Sequence, residues 1–269
     1  MNFEKWQGCG NDFVIVDRRA TGELDAAEKI AAICDRHFGV GADGVIYVLN
    51  SAAAEVRMRI FNADGSEAEM CGNGIRCFAK FLLGDKTGDL SVETGAGILN
   101  VRAEKNFVTV DMGTPILAAD KIPVAGFGGE KIIGEALEVG GEIFKMTCVS
   151  MGNPHCVIFV DDLSEIKLAE IGPQIETHEK FPHRTNVEFV EVTGENEMRM
   201  RVWERGSGIT LACGTGACAT AVAANLNGLS GRTATVHLDG GDLKIDWREN
   251  GRVYMSGAAE KVFVGSFLC

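Results

Sequence analysis

Glu69-Met-Cys-Gly-Asn-Gly-Ile-Arg-Cys77 and Leu211-Ala-Cys-Gly-Thr-Gly-Ala-Cys218 are two renderings of one pattern. Each reads as a glycine-rich turn opening into a helix, with one cysteine, Cys71 or Cys213, at the turn. The two cysteines lie 142 positions apart, and other anchors share that offset. Asn11 falls on Asn153, and Gly10 on Gly152. Phe61-Asn-Ala63 falls on Trp203-Glu-Arg205, and the run from Gly44 to Val48 on the run from Asn186 to Val190. Further on the offset becomes 144, with Gly97 on Gly241 and Gly113 on Gly257. Glycine matches alone carry little weight, but several separated anchors in one register point to a duplicated unit. A period this long is the size of a domain, not of a solenoid repeat. The expectation is an α/β (α+β) protein of two pseudosymmetric halves, residues 1–115 and 116–269. They would meet face to face, so that both cysteine turns line one cleft.

The spacing of apolar residues fills in each half. Phe13 to Val16 is an apolar run of strand length, and Val45 to Leu49 is another. Val56 to Phe61 alternates as a half-buried strand does, and its end delivers Asn62 to a loop. Residues 25–34 have helical spacing, with Asp25 as N-cap and Glu28 in capping-box position. Gly74 to Leu83 carries Ile75, Phe78, Ala79 and Leu82 along one stripe. Leu90 to Glu93, Gly97 to Val101 and Phe107 to Met112 read as a meander. The second half repeats the scheme. It has strands at 146–150, 156–160, 187–192, 197–203, 234–238, 243–246 and 253–256, and helices at 168–175 and 216–226. The last helix is alanine-rich and apolar almost all round, so it is expected to be buried. Residues 114–142 read as the joint, and a C-terminal strand at about 262–269 could complete either sheet.

Composition narrows the function. At 269 residues, with 46% hydrophobic and 24% charged residues, the chain is ordinary globular protein. A net charge of −12 without a basic run argues against nucleic acid. No apolar run approaches the roughly 18 residues of a membrane span. The start, Met-Asn-Phe-Glu-Lys-Trp6, lacks the pattern of a secretory signal, so the cytoplasm is expected. Nine cysteines, an odd number, argue against a disulfide framework. No CxxC pair occurs, and His37, His155, His178, His183 and His237 are scattered, so no metal site is expected.

A helix N-terminus offers unpaired N–H groups and partial positive charge, which favour a thiolate or a bound carboxylate. Beside the two turns stand Asn11, Asn62, Asn73, Asn153, Asn186, Glu204 and Arg205. Arg205 suits a carboxylate and Glu204 an ammonium. No lysine has a Schiff-base setting, and the glycine turns lack the context of a phosphate or dinucleotide loop. The chemistry expected is therefore acid–base and free of cofactor. Two sulfurs on opposite faces of one carbon would invert it, one thiolate removing the α-proton while the opposing thiol delivers another. Against this stands the ordinary reading of cysteine as packing, which is assigned to Cys34, Cys77, Cys148, Cys156 and Cys218. His37, His178, His183 and His237 are read as surface.

These residues resemble the diaminopimelate epimerase family over nearly the whole chain. The motifs are Gly10-Asn-Asp-Phe13, Phe61-Asn-Ala-Asp-Gly65, Cys71-Gly-Asn-Gly-Ile-Arg-Cys77, Gly152-Asn-Pro-His155, Arg184-Thr-Asn-Val-Glu188, Trp203-Glu-Arg-Gly206 and Ala212-Cys-Gly-Thr-Gly216. The resemblance implies two halves, each a curved, mostly antiparallel sheet wrapped around a central helix. It also implies a homodimer and pyridoxal-phosphate-independent interconversion of L,L- and meso-diaminopimelate. Carried over by motif, Cys71 and Cys213 match the base/acid pair. Asn11, Asn62, Gly72, Asn73, Asn153, Asn186, Glu204, Arg205, Gly214 and Thr215 match substrate-binding positions. His155 and Glu204 match residues supporting proton transfer. One position departs, because some members carry a substrate-contacting glutamine where this chain has Gly44.

Three rivals remain. A proline racemase or hydroxyproline epimerase shares the two-cysteine logic, but its substrate has one carboxylate and needs no second clamp. Isomerases of the phenazine-biosynthesis type lack the cysteine pair. A non-catalytic amino-acid binder would tolerate loss of either cysteine.

Overall fold

A computed structural model describes residues 1–268. The chain divides into two compact units, Met1–Asp111 with Ser256–Cys269, and Met112–Met255.

The first unit begins with β1 (Asn2–Gly8) and β2 (Asn11–Asp17). They form a hairpin whose two turn residues, Cys9 and Gly10, have φ of 53° and 77°. Positive φ at both positions is what a two-residue turn needs to match strand twist. Then come α1 (Ala27–Cys34), β3 (Gly44–Leu49), β4 (Val56–Asn62), the short β5 (Glu67–Ala68), α2 (Gly72–Leu83), β6 (Gly88–Thr94), β7 (Gly97–Ala103) and β8 (Val108–Asp111). β2 runs parallel to β3, β3 antiparallel to β4, β4 parallel to β6, and β6–β7–β8 form an antiparallel meander. β3 is buried at every position, which its continuous run Val45-Ile-Tyr-Val48 requires. α2 is buried from Gly72 to Lys80, with Ile75, Cys77, Phe78 and Ala79 inaccessible to solvent. Lys80, also buried, donates from Nζ to the carbonyls of Gly84 (2.6 Å) and Lys105 (3.0 Å), so its charge does not go unpartnered.

The second unit contains β9 (Glu135–Val139), β10 (Glu142–Ser150), β11 (Pro154–Val160), α3 (Leu168–Glu176), β12 (Asn186–Gly194), β13 (Glu197–Glu204), β14 (Gly208–Thr210), α4 (Gly214–Leu226), β15 (Thr233–Leu238), β16 (Gly241–Trp247) and β17 (Val253–Gly257). Its pairing repeats the first. β10 is antiparallel to β11, β11 parallel to β12, β12 antiparallel to β13, β13 parallel to β15, and β15 antiparallel to β16. α4 takes the place of α2 and is buried from Gly214 to Ala224 apart from Thr215. Its alanines let the surrounding strands approach closely. The last strand, β18 (Glu260–Ser266), pairs antiparallel with β1, as β9 pairs with β10. Position 269, the end of the expected C-terminal strand, lies outside the described residues.

Two local expectations are corrected. Asp25 is not the cap of α1, whose N-cap is Ala26 with no side-chain bond. Asp25 instead accepts from Arg18 and the Tyr47 hydroxyl (2.9 Å), because a buried tyrosine needs a partner more than an exposed helix end does. Residues 114–142, read as the joint, belong wholly to the second unit. They carry β9 and supply Ala119, Ile122, Val124, Ile132, Leu137 and Val139 to the core of the second unit. His178 and His237 lie at the surface, and His237 is held there between Asp242 (2.8 Å) and Glu197 (2.7 Å).

Candidate active site

Both helices begin two residues earlier than periodicity alone indicates, and this places each cysteine at the N-cap. Cys71 caps α2 in an extended conformation, and its sulfur accepts from Gly74 N at 3.4 Å. Cys213 caps α4 in the same conformation, with Gly216 N donating to its sulfur at 3.3 Å. A capping sulfur is unusual where serine, threonine, aspartate or asparagine is preferred. Gly72 and Gly214 are the first helical residues, so their amides have no partner within the helix.

In the first unit the hairpin turn delivers Asn11 to the Cys71 cap. Asn11 Oδ1 accepts from Cys71 Sγ (3.6 Å) and from Asn73 Nδ2 (3.3 Å), while Asn11 Nδ2 donates to Asp43 (2.7 Å). Asp43 and Asp12 are in turn held by Arg36, and Asp12 also by Lys5. Burial pushes the Asp12 carboxyl up, but hydrogen bonds from Arg36 and Lys5 outweigh it and hold the group below its ordinary range. Asn62 is not drawn into this cluster. It closes its own turn, donating from Nδ2 to Ser66 Oγ at 3.0 Å. Gly44 opens β3, where a Cβ would sit 2.4 Å from the Phe61 carbonyl oxygen. Backbone, not a movable side chain, therefore forbids a glutamine in this conformation.

The second unit gathers a larger set. His155 is fully buried, with Nδ1 2.6 Å from Glu188 Oε1 and Nε2 3.0 Å from Asn153 Oδ1. Asn153 Nδ2 donates to Thr215 Oγ1 (3.3 Å), and that hydroxyl lies 3.5 Å from Cys213 Sγ. Asn186 is spent on the scaffold, donating to the Pro154 carbonyl (2.8 Å) and accepting from Arg205 N (2.9 Å). Glu204 accepts from Thr210 Oγ1 at 2.5 Å. Arg205 is exposed, with Nη1 3.2 Å from the His183 carbonyl.

The electrostatics differ from a pair of simple thiolates. Burial pushes the Cys213 thiol well above its ordinary value, and the Glu204 and Glu188 carboxylates push the same way. Hydrogen bonds from Thr215 and from Gly216 N oppose them. The low-pKa sulfur expected of a helix N-terminus is thus overridden here, because desolvation exceeds what one turn of dipole supplies. Burial also raises Glu204, against the hydrogen bond from Thr210.

Two buried carboxylates escaped the sequence reading. Glu176 accepts from Trp203 Nε1 (2.7 Å) and Gly206 N (3.0 Å), anchoring both sides of Glu204 and Arg205. Glu188 sits in an otherwise apolar buried run of β12. A charge in the middle of an apolar strand is the signal that marks it.

The chain matches the family model described as diaminopimelate epimerase over residues 3–118 and 147–262. It is 53% identical over 277 residues to a diaminopimelate epimerase of Pelotomaculum thermopropionicum, covering 99% of each chain. It is 54% identical over 273 residues to that of Synechococcus elongatus, covering 99% of this chain and 98% of the relative. Among solved structures, a phenazine biosynthesis protein of the PhzF family from Bacillus anthracis aligns with TM-score 0.70 at 19% identity, covering 100% and 99%. A hydroxyproline epimerase from Agrobacterium vitis aligns with TM-score 0.69 at 13% identity, covering 98% and 90%. At such identities these structures speak for the fold alone.

Proposed function

This chain belongs to the diaminopimelate epimerase family, and we propose that Cys71 and Cys213 are the two acid/base groups of its reaction. The enzyme interconverts L,L- and meso-diaminopimelate in lysine biosynthesis. In our reading, a Cys71 thiolate removes the α-proton and leaves a carbanion conjugated with the α-carboxylate. The Cys213 thiol donates its proton to the opposite face of that carbon. Afterwards Cys71 carries a proton and Cys213 does not, and the reverse reaction uses the opposite assignment. The supporting observation is that both sulfurs cap helices in the same way, each accepting from the amide three residues on. Such a start also favours the charge that builds on the α-carboxylate. The raised Cys213 thiol suits the proton donor.

The other assignments form part of the same proposal. Asn11, Asn62, Gly72, Asn73, Asn153, Asn186, Glu204, Arg205, Gly214 and Thr215 bind substrate, and His155 and Glu204 support proton transfer. The two units, Met1–Asp111 with the C-terminal strand β18 and Met112–Met255, act as two domains in place of the simple division at residue 115, each supplying one cysteine. A cytoplasmic location keeps the thiols reduced. A homodimer fits the exposure of three consecutive apolar residues of β18, Val262 (56%), Phe263 (44%) and Val264 (64%).

Proton NMR of L,L-diaminopimelate in D2O, with reducing agent and no added cofactor, tests the core of this reading. Meso product carrying α-deuterium, formed while unreacted substrate keeps its proton, is the expected result. Equal early exchange in substrate and product would mean that one base serves both faces.

A further inference from the structure

Glu188 is fully buried on β12, which packs against the helix that Cys213 caps. Its Oε1 meets His155 Nδ1 at 2.6 Å. Its Oε2 is buried and has no hydrogen-bond partner among the described residues. A carboxylate oxygen in that condition costs stability, because nothing replaces the water it has lost. The fold also makes room for it, because a Cβ on Gly216 would stand 2.7 Å from Glu188 Oε1. An ordinary core would have placed a valine or leucine here.

What Glu188 holds leads to the sulfur. The Asn153 carbonyl oxygen only accepts, so the hydrogen bond at 3.0 Å requires a proton on His155 Nε2. Asn153 Nδ2 only donates, so Thr215 Oγ1 is its acceptor at 3.3 Å. The Thr215 hydroxyl then has its own proton to place, and Cys213 Sγ lies 3.5 Å away. The Glu204 carboxylate acts on the same sulfur by its charge. The row from His155 through Asn153 and Thr215 to Cys213 thus points one way. Glu188 Oε1 also only accepts, so Nδ1 donates to it, and with both ring nitrogens donating the Glu188 carboxylate is the counter-charge that holds the second proton on the ring.

We propose that Glu188 is a positioning residue of the epimerase reaction. It fixes the ring and the Nε2 proton of His155, and through Asn153 and Thr215 it keeps a hydroxyl donor on the Cys213 sulfur. That donor is wanted at the moment Cys213 becomes a thiolate. The charged or titratable groups around the sulfur in this unit are Glu188 on β12, Glu204 on β13 and His155 on β11. Two of these three are carboxylates that oppose a negative sulfur, and the Thr215 hydroxyl is a counterweight. This inference rests on the acid/base role proposed for Cys213.

The test combines kinetics with nitrogen NMR on the full-length enzyme. Glu188→Gln keeps the shape of the side chain and removes its charge. We expect kcat to fall about 10- to 100-fold, the scale seen when a hydrogen-bonded orienting group is lost, with KM within about twofold. The discriminating measurement is a cycle with Thr215→Val. If both residues act on Cys213 through one row of hydrogen bonds, the double variant loses little more kcat than the worse single variant. Multiplying losses would reduce Glu188 to a structural residue and overturn the proposal. Unchanged kcat in Glu188→Gln would also overturn it. Should that variant not fold, histidine labelled with nitrogen-15 in the unmodified enzyme decides. A proton on His155 Nε2 supports the row, and an unprotonated Nε2 breaks it. A Cys213→Ser variant separates the two levels. If it keeps turnover, the acid/base reading itself fails. If it is inactive while Glu188→Gln behaves as wild type, only the present inference falls.

Discussion

Replacing Gly216 with alanine sets two effects of known size against each other. Gly216 lies in the first turn of α4 and is buried, and its φ is not in the left-handed region, so backbone strain does not forbid a side chain. Helix propensity alone favours alanine by about 1 kcal/mol. The new methyl would meet Glu188 Oε1 at 2.7 Å, Cys213 Sγ at 3.2 Å and Cys213 Cβ at 3.3 Å. Glutamate oxygens usually move aside at little cost, but this one is fully buried and bonded to His155 at 2.6 Å. Displacing it surrenders a hydrogen bond to a charged group, roughly 1.5–3 kcal/mol. The balance is a net loss of about 0.5–2 kcal/mol. The control is Gly74→Ala at the matching position of α2. The nearest neighbours of its methyl would be the movable tips of Ile60 (3.0 Å) and Ile46 (3.2 Å), then Cys71 Cβ (3.4 Å). There the propensity gain should offset the crowding to within about 0.5 kcal/mol. Urea unfolding of the three proteins, followed by circular dichroism, gives the comparison. If Gly216→Ala is as stable as the parent or more so, Glu188 is not locked where the structure puts it, and the argument built on that lock fails.

Gly44→Ala forces a Cβ to 2.4 Å from the Phe61 carbonyl. It should cost about 1–3 kcal/mol by overpacking, and it should raise KM more than it lowers kcat, because β4 carries Asn62. An unchanged denaturation midpoint would show that the two strands part easily. Glu204 has its carboxyl raised in the folded protein by burial. An acid whose folded pKa exceeds its unfolded one costs stability above the folded value and costs nothing below the unfolded one. Glu204→Gln should therefore stabilise the protein at pH 7, leave it unchanged near pH 4, and still abolish most turnover. Equal effects at both pH values would refute the burial argument. Lys80→Met strips a donor from the carbonyls of Gly84 and Lys105. About 1–3 kcal/mol of stability should disappear, and a loss below about 0.5 kcal/mol would mean that water reaches those oxygens.

The sequence by itself determined the duplication, the element types and the two cysteine turns. The reason is that these are local patterns, an apolar period of two or of 3.6 residues and glycines where a chain must turn sharply. One register of about 142 residues carried Asn11 onto Asn153 and Cys71 onto Cys213 without any contact being known. Helix starts were less legible. Two residues of α2 and of α4 are glycine and a polar residue, with no apolar period to announce them, so the capping role of the sulfurs became visible only in three dimensions. Only the tertiary structure decided which polar groups serve the chemistry and which serve the scaffold. Asn186 and Glu176 hold loops, Asn62 closes its own turn, and Glu188 reaches His155 from a strand 33 residues away in sequence. Ionisation belongs to the same category. A helix end favours a thiolate wherever it stands, but the burial and the two carboxylates that override it at Cys213 come from β12 and β13, which meet the sulfur only when the chain has folded.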